Sequence, residues 1–160
     1  MNSLSDIYQQ YAPDVYRFAL GLSGDSALAD DITAETFVRV LVSAKPIEME
    51  TVKGYLFTIA RNLYLEGLRK SKRLTDLDDS LTDRAYSVEG ITQRREELNK
   101  VLSGLQQLPE IDRAALLMRV EYGMAYTAVA ETLNISLSAA KVKIHRARIK
   151  LAKLMMENEQ

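Results

Sequence analysis

Between Ser138 and Lys153 the chain carries Lys141, Lys143, Arg146, Arg148, Lys150 and Lys153 and no acid, a run suited to attracting phosphate. A second basic segment mixes Tyr55, Phe57 and Tyr64 with Arg61, Asn62 and the cluster Arg69, Lys70, Lys72 and Arg73. Rings can stack on unpaired bases while cations and amides hold a strand backbone. Each segment has a plainer alternative. The first is also what a basic amphipathic helix lying on a partner protein or a membrane surface looks like. In the second, the aromatics can be core filler and the cations a helix C-terminus, where the helix dipole favours positive charge. Asp30, Asp31 and Glu35 likewise fit a helix N-terminus, which favours acids.

Other chemistry finds little support. The chain has no Cys, and His145 is its one His, so zinc fingers, iron–sulfur clusters, thiol nucleophiles and disulfides lack ligands or partners. No glycine-rich nucleotide loop, no nucleophile with a His partner and no carboxylate dyad stands out. The expectation is a protein that is not an enzyme, with no cofactor and no metal.

The totals of 21 Lys+Arg and 22 Asp+Glu argue against a nucleic-acid binder only until their distribution is read. Asp76, Asp78, Asp79, Asp83 and Glu89 face Arg84 alone, so charge alternates basic, acidic, basic along the chain. A hydrophobic share of 47% and a charged share of 27% are those of a globular chain, and 7 Gly and 3 Pro leave little room for long loops. The N-terminus lacks a leader pattern, and no run approaches about 18 apolar residues, so neither export nor membrane insertion is expected.

The elements that must position these residues read as helices. Leu4, Ile7, Tyr8, Tyr11, Val15, Phe18, Ala19 and Leu22 form one apolar face, with a bend or break predicted at Pro13. After Ser23-Gly24-Asp25-Ser26, which offers a break and N-caps, Leu28, Ile32, Phe37, Val40 and Leu41 predict a helix to about Ser43. Pro46 marks a loop. A third helix is predicted from Val52 to about Lys72, followed by a polar, acidic linker over 74–91 with no sustained period. Periodicity resumes near Thr92 and runs to Leu108, Pro109 opens a helix over Ile111 to Glu121, and Gly123 ends it.

Tyr126 to Leu133, the turn Asn134-Ile135-Ser136 and a basic helix then have the rhythm of a helix-turn-helix, with Ala130 small at the crossing and Asn134 tolerant of a left-handed backbone. Leu137, Ala140, Ile144, Ala147, Leu151 and Leu154 define the buried stripe of the last helix. At about 100° per residue, Val142, His145, Arg146 and Ile149 lie outermost, flanked by Lys141 with Arg148 and by Lys143 with Lys150. That layout suits a major groove, with cations for phosphates and a centre able to reach base edges.

Three segments resemble the extracytoplasmic-function (ECF) group of the sigma-70 family of RNA polymerase sigma factors. Ala29-Asp30-Asp31-Ile32-Thr33-Ala34-Glu35-Thr36-Phe37 and Tyr55-Leu56-Phe57-Thr58-Ile59-Ala60-Arg61-Asn62 are similar to its second conserved region. Leu108-Pro109-Glu110 through His145-Arg146-Ala147-Arg148 is similar to its fourth. The resemblance implies an all-α chain of two small helical domains. Residues 1–73 would form a sigma-two-like bundle and 92–160 a sigma-four-like helix-turn-helix domain, joined by the flexible acidic linker.

It implies a cytoplasmic, non-enzymatic specificity subunit whose partners are core RNA polymerase, promoter DNA and an anti-sigma factor. Asp30, Asp31, Glu35 and Arg39 would bind the clamp coiled coil of the polymerase. Loop 44–51, with Lys45, would capture a flipped base of the −10 element, near DNA held by Arg61, Asn62, Arg69, Lys70, Lys72 and Arg73. Ser138, Lys141, Val142, Lys143, His145, Arg146, Arg148 and Lys150 would face the −35 element. Ala34, Tyr55, Glu66, Ala128, Ser138-Ala139-Ala140 and Val142 depart from the usual family pattern, which bears on the promoter sequence read more than on membership. Two other functions fit parts of the chain: an autonomous helix-turn-helix regulator binding duplex DNA as a dimer, and a sigma-like adaptor without promoter binding.

Overall fold

The computed structural model describes residues 4–43, 51–77 and 93–157, and every element among them is helical. In the first half, α1 (Leu4–Ser23), α2 (Ser26–Val42) and α3 (Val52–Leu77) pack on one another. The second half holds α4 (Gln93–Gln106), α5 (Glu110–Leu116) with a π-helical continuation over Leu117–Glu121, α6 (Tyr126–Leu133) and α7 (Leu137–Glu157).

Helix α1 runs unbroken through Pro13, against the expected bend or break. Pro13 is exposed, while Ile7 and Tyr11 before it and Val15, Phe18, Ala19 and Leu22 after it all pack on the core. Gly24, at φ 69°, then turns the chain, and its N–H donates to Leu20 O. A side chain at that φ would be strained. Asp25 caps α2 by accepting from the Leu28 N–H at 3.2 Å.

Four local features differ from expectation. Helix α3 continues to Leu77, so the first residues assigned to the linker are helical, and the rest of that segment, 78–91, lies outside the described residues. Pro109 precedes α5 as its N-cap residue, with φ −52° and ψ 143°, instead of opening it from within. The helix expected over Ile111 to Glu121 starts at Glu110 and widens into a π turn from Leu117. Leu41, placed in the α2 stripe by its spacing, is 66% exposed in the last turn of α2.

Phe18, Leu22, Leu56 and Phe57 fill the centre of the first half, where Phe18 and Phe57 stack with centroids 4.2 Å apart. Each such side chain contributes about 1.5–3 kcal/mol by burial. The core does not stop there. It continues into Leu105, Leu108, Ala115, Met118, Val129 and Ile144 of the second half, since α1 meets α4 and α5 and α3 meets α6.

Candidate nucleic-acid interface

The helix-turn-helix is set by local signals. Asn134 takes φ 55° and ψ 48°, the left-handed conformation that ends α6, and its N–H together with that of Ile135 returns to the last turn of the helix. Ser136 then starts α7, its hydroxyl accepting from the Ala139 N–H at 3.0 Å. Ala140, Ile144 and Ala147 are buried against the rest of the half, and Ala130, 6% exposed, lets α6 approach. Leu137, expected to begin the buried stripe, is 41% exposed in the first turn of α7.

The outward face of α7 carries Ser138, Lys141, Val142, His145, Arg148, Ile149 and Lys150, all exposed, with Lys143 half-buried. Arg146 is on this face too, but its guanidinium has a partner of its own. Nε and Nη2 donate to the two carboxylate oxygens of Asp112 at 2.9 and 3.0 Å. Asp112 is 1% exposed, so Arg146 braces α7 to α5 as well as lying beside the candidate groove surface. The hydrogen bond to Asp112, and then its charge, push the Arg146 pKa up, so this cation stays charged.

One cluster escaped sequence reasoning. The Tyr126 ring lies under the Arg119 guanidinium, 4.4 Å from its centroid, and 5.8 Å from Lys141 Nζ. Arg119 also donates to Met124 O at 3.1 Å. The signal was a tyrosine at the start of the first motif helix, with a cation seven residues before it and another fifteen after.

In the first half, Asp30, Asp31, Glu35 and Arg39 share the exposed side of α2 with Val38 and Leu41. Arg39 bridges to Glu66 of α3 at 3.1 Å and lies 3.7 Å from Glu35 of its own helix, a solvent-exposed group of charges across α2 and α3. On α3, Asn62, Arg69, Lys70, Lys72 and Arg73 are exposed. Lys45 lies outside the described residues.

Phe57 and Tyr64 are buried, which makes them core in this arrangement, and Tyr55 is half-buried. Arg61, expected to face DNA, makes a two-toothed ion pair with Glu110 of α5 at 2.7 and 2.8 Å. Among the described residues no group of His, Asp or Glu could hold a metal ion, and no helix is long and apolar enough to cross a membrane.

Residues 7–74 match the family model of Sigma-70 region 2, and residues 98–151 match that of Sigma-70, region 4. The chain is 32% identical over 154 residues to the ECF RNA polymerase sigma factor SigM of Bacillus subtilis, covering 95% of this chain and 94% of that one. It is 31% identical over 156 residues to the ECF RNA polymerase sigma factor EcfG of Rhodopseudomonas palustris, covering 96% and 86%. Its fold is similar to that of the sigma factor RpoE of Bartonella quintana, solved in complex with the anti-sigma factor NepR, with a TM-score of 0.84 at 21% identity over 98% of both chains.

Proposed function

We infer the working of this chain from the premise that it belongs to the ECF group of the sigma-70 family and is a sigma factor that directs RNA polymerase to promoters. The observation that carries the finer reading is the order of the parts. A region-2 match with an exposed acidic helix precedes a region-4 match whose last helix presents cations around a neutral centre. A dimeric helix-turn-helix regulator would leave that first half without a task.

In this reading residues 1–73 and 92–160 work as two domains. Asp30, Asp31, Glu35 and Arg39 dock on core polymerase, where the three exposed acids are able to meet cations. Asn62, Arg69, Lys70, Lys72 and Arg73, with Lys45 and Arg61, hold the −10 side of the promoter. Lys141, Lys143, Arg148 and Lys150 meet phosphates on the −35 side, with Ser138, Val142, His145 and Arg146 nearest the bases. The protein is not an enzyme: it lends positioning and specificity to the polymerase. It works in the cytoplasm, where an anti-sigma factor is its natural regulator.

The test is capture of core polymerase followed by transcription from a promoter library. Reversing Asp31 and Glu35 to Lys is expected to weaken core binding by about 1–3 kcal/mol with an unchanged circular-dichroism spectrum. Unchanged core affinity would remove α2 from the docking surface.

A further inference from the structure

Arg113, Arg119 and Arg146 are each held in place by a different chemistry. Arg113, 6% exposed, spends its guanidinium on carbonyls, donating to Leu105 O at 2.8 Å, to Leu108 O at 3.1 Å and to Leu22 O, so it belongs to the core. Arg146 has its charge met by the Asp112 carboxylate. Arg119 is half-buried and is held by a ring: its guanidinium lies 4.4 Å from the Tyr126 centroid, and Nη1 donates to Met124 O at 3.1 Å. Among the described residues neither Arg119 nor Lys141, the second cation on that ring, has an ion pair with an acid.

Local backbone geometry brings these groups together. Gly123, at φ 61°, reverses the chain after the π turn, a conformation that strains other residues, and the Met124 N–H returns to Met118 O at 3.1 Å. Tyr126 then opens α6 with its ring back against Arg119. From beyond the motif's turn, Lys141 of α7 brings Nζ to 5.8 Å from the same centroid. Side chains from the π turn, α6 and α7 thus converge on one half-buried ring, beside the outward face that Lys141 flanks.

An aromatic face attracts a cation through its quadrupole and carries no net charge. A carboxylate that fixes a cation also cancels it, as Asp112 does for Arg146. A ring fixes the cation and leaves its field intact. Long basic side chains lose rotamer freedom when they grip a ligand, and a platform that orders them beforehand removes part of that cost.

We propose that Tyr126 is a positioning residue for the upstream promoter contact, its ring holding Arg119 and Lys141 as an ordered two-cation cradle for the DNA phosphate backbone, which sets the register in which α7 enters the groove. The proposal rests on the reading of α7 as the −35 helix and adds Arg119 and Tyr126 to it. Phosphate contacts fix register and base contacts carry sequence, so the cradle acts on discrimination through placement alone.

The test is binding of reconstituted holoenzyme to promoters whose upstream phosphates are replaced, one at a time, by neutral methylphosphonates. The parent is expected to lose affinity at each phosphate it grips. Arg119→Ala should make one of those positions silent, weaken binding on all sequences and lower the salt dependence by about one counterion. Tyr126→Leu, which keeps an apolar side chain and removes the ring, should silence the same position and weaken binding by about 2–5-fold for each cation set free. Tyr126→Phe, which keeps the ring, should match the parent, and Arg119→Ala should cost little more in the Tyr126→Leu background. Lys141→Ala should silence that position or its neighbour, which keeps the test standing if Tyr126→Leu melts early.

Phosphates that all stay sensitive in Arg119→Ala, a Tyr126→Phe variant as weak as Tyr126→Leu, or independent losses from Arg119→Ala and Tyr126→Leu would each overturn the cradle. A parent indifferent to every upstream methylphosphonate would instead sink the reading of α7 as the −35 helix, and the cradle with it.

Discussion

Arg61 on α3 and Arg146 on α7 lie in the two basic surfaces of the molecule, and each grips a carboxylate from the first turn of α5 with two hydrogen bonds. The carboxylates, Glu110 and Asp112, are two residues apart, which at about 100° per residue turns them to opposite sides of the helix. Asp112 faces inward to α7 and is 1% exposed, so its pair is a brace within one half. Glu110 faces across to α3 and keeps a fifth of its side chain in solvent, so its pair is a fastener between halves. Alike in chemistry, the two pairs differ in what breaks with them. Loss of the brace loosens the helix that presents the second basic surface, whereas loss of the fastener removes one polar contact from an interface that the shared apolar core also holds.

The largest expected effect tests the brace. Arg146→Ala leaves the buried Asp112 carboxylate without its donors and should lower stability to urea, though less than breaking a fully buried pair would, because the Arg146 side chain is itself 55% exposed. Glu110→Ala, which leaves Arg61 able to turn toward solvent, should cost about 1 kcal/mol or less. Equal losses would make brace and fastener energetically alike. Promoter profiles sharpen it further. Asp112→Ala should lower stability without changing base preference, whereas Arg146→Ala should alter both if its Nη1 also reaches a base edge.

The next effect lies at the fastened side. Burial, followed by the charges of Glu121 and Asp14, raises the Tyr122 pKa above its ordinary 10.0. A phenol whose folded pKa is raised contributes its full stability below the unfolded value, near pH 10, and loses it as pH rises beyond. The phenolate also cannot donate to Asp14 O. Tyr122→Phe should therefore cost about 1 kcal/mol at neutral pH and flatten the alkaline loss of stability above pH ~10. An identical alkaline limb in the two proteins, followed by thermal melting, would detach Tyr122 from the contact.

The same contrast explains what could be read from residues alone. The helix-turn-helix was legible because its determinants are local: Asn134 at the left-handed turn, Ser136 as cap, and Ala140, Ile144 and Ala147 at helical spacing. The family was legible for a related reason, since its motifs are short and lie in order. The fastener was not, because Arg61 and Glu110 are 49 positions apart and no periodicity links them. Arg113 was missed although a hint existed. Asp112 and Arg113 are charges set directly before Ala114-Ala115-Leu116-Leu117-Met118, and charges leading into an apolar run are buried with partners or not at all.

The smallest expected effect separates phosphate contact from base contact on α7. Lys150 is exposed at the flank of the outward face, and Val142, 58% exposed, lies near its centre. A flanking cation acts by releasing counterions, which is indifferent to sequence, so Lys150→Ala should weaken binding by a similar factor on all sequences and reduce the salt dependence by about one counterion. Val142 has no hydrogen-bonding group and can favour only apolar contact, such as a thymine methyl. Val142→Ser should then leave the salt slope in place and move base preference at one position. Holoenzyme binding across a randomised upstream element at two salt concentrations measures both quantities in one experiment. If the two variants changed slope and preference together, the division of this face into flank and centre would fail, and α7 would be a uniformly basic surface held in place by the Arg146 brace.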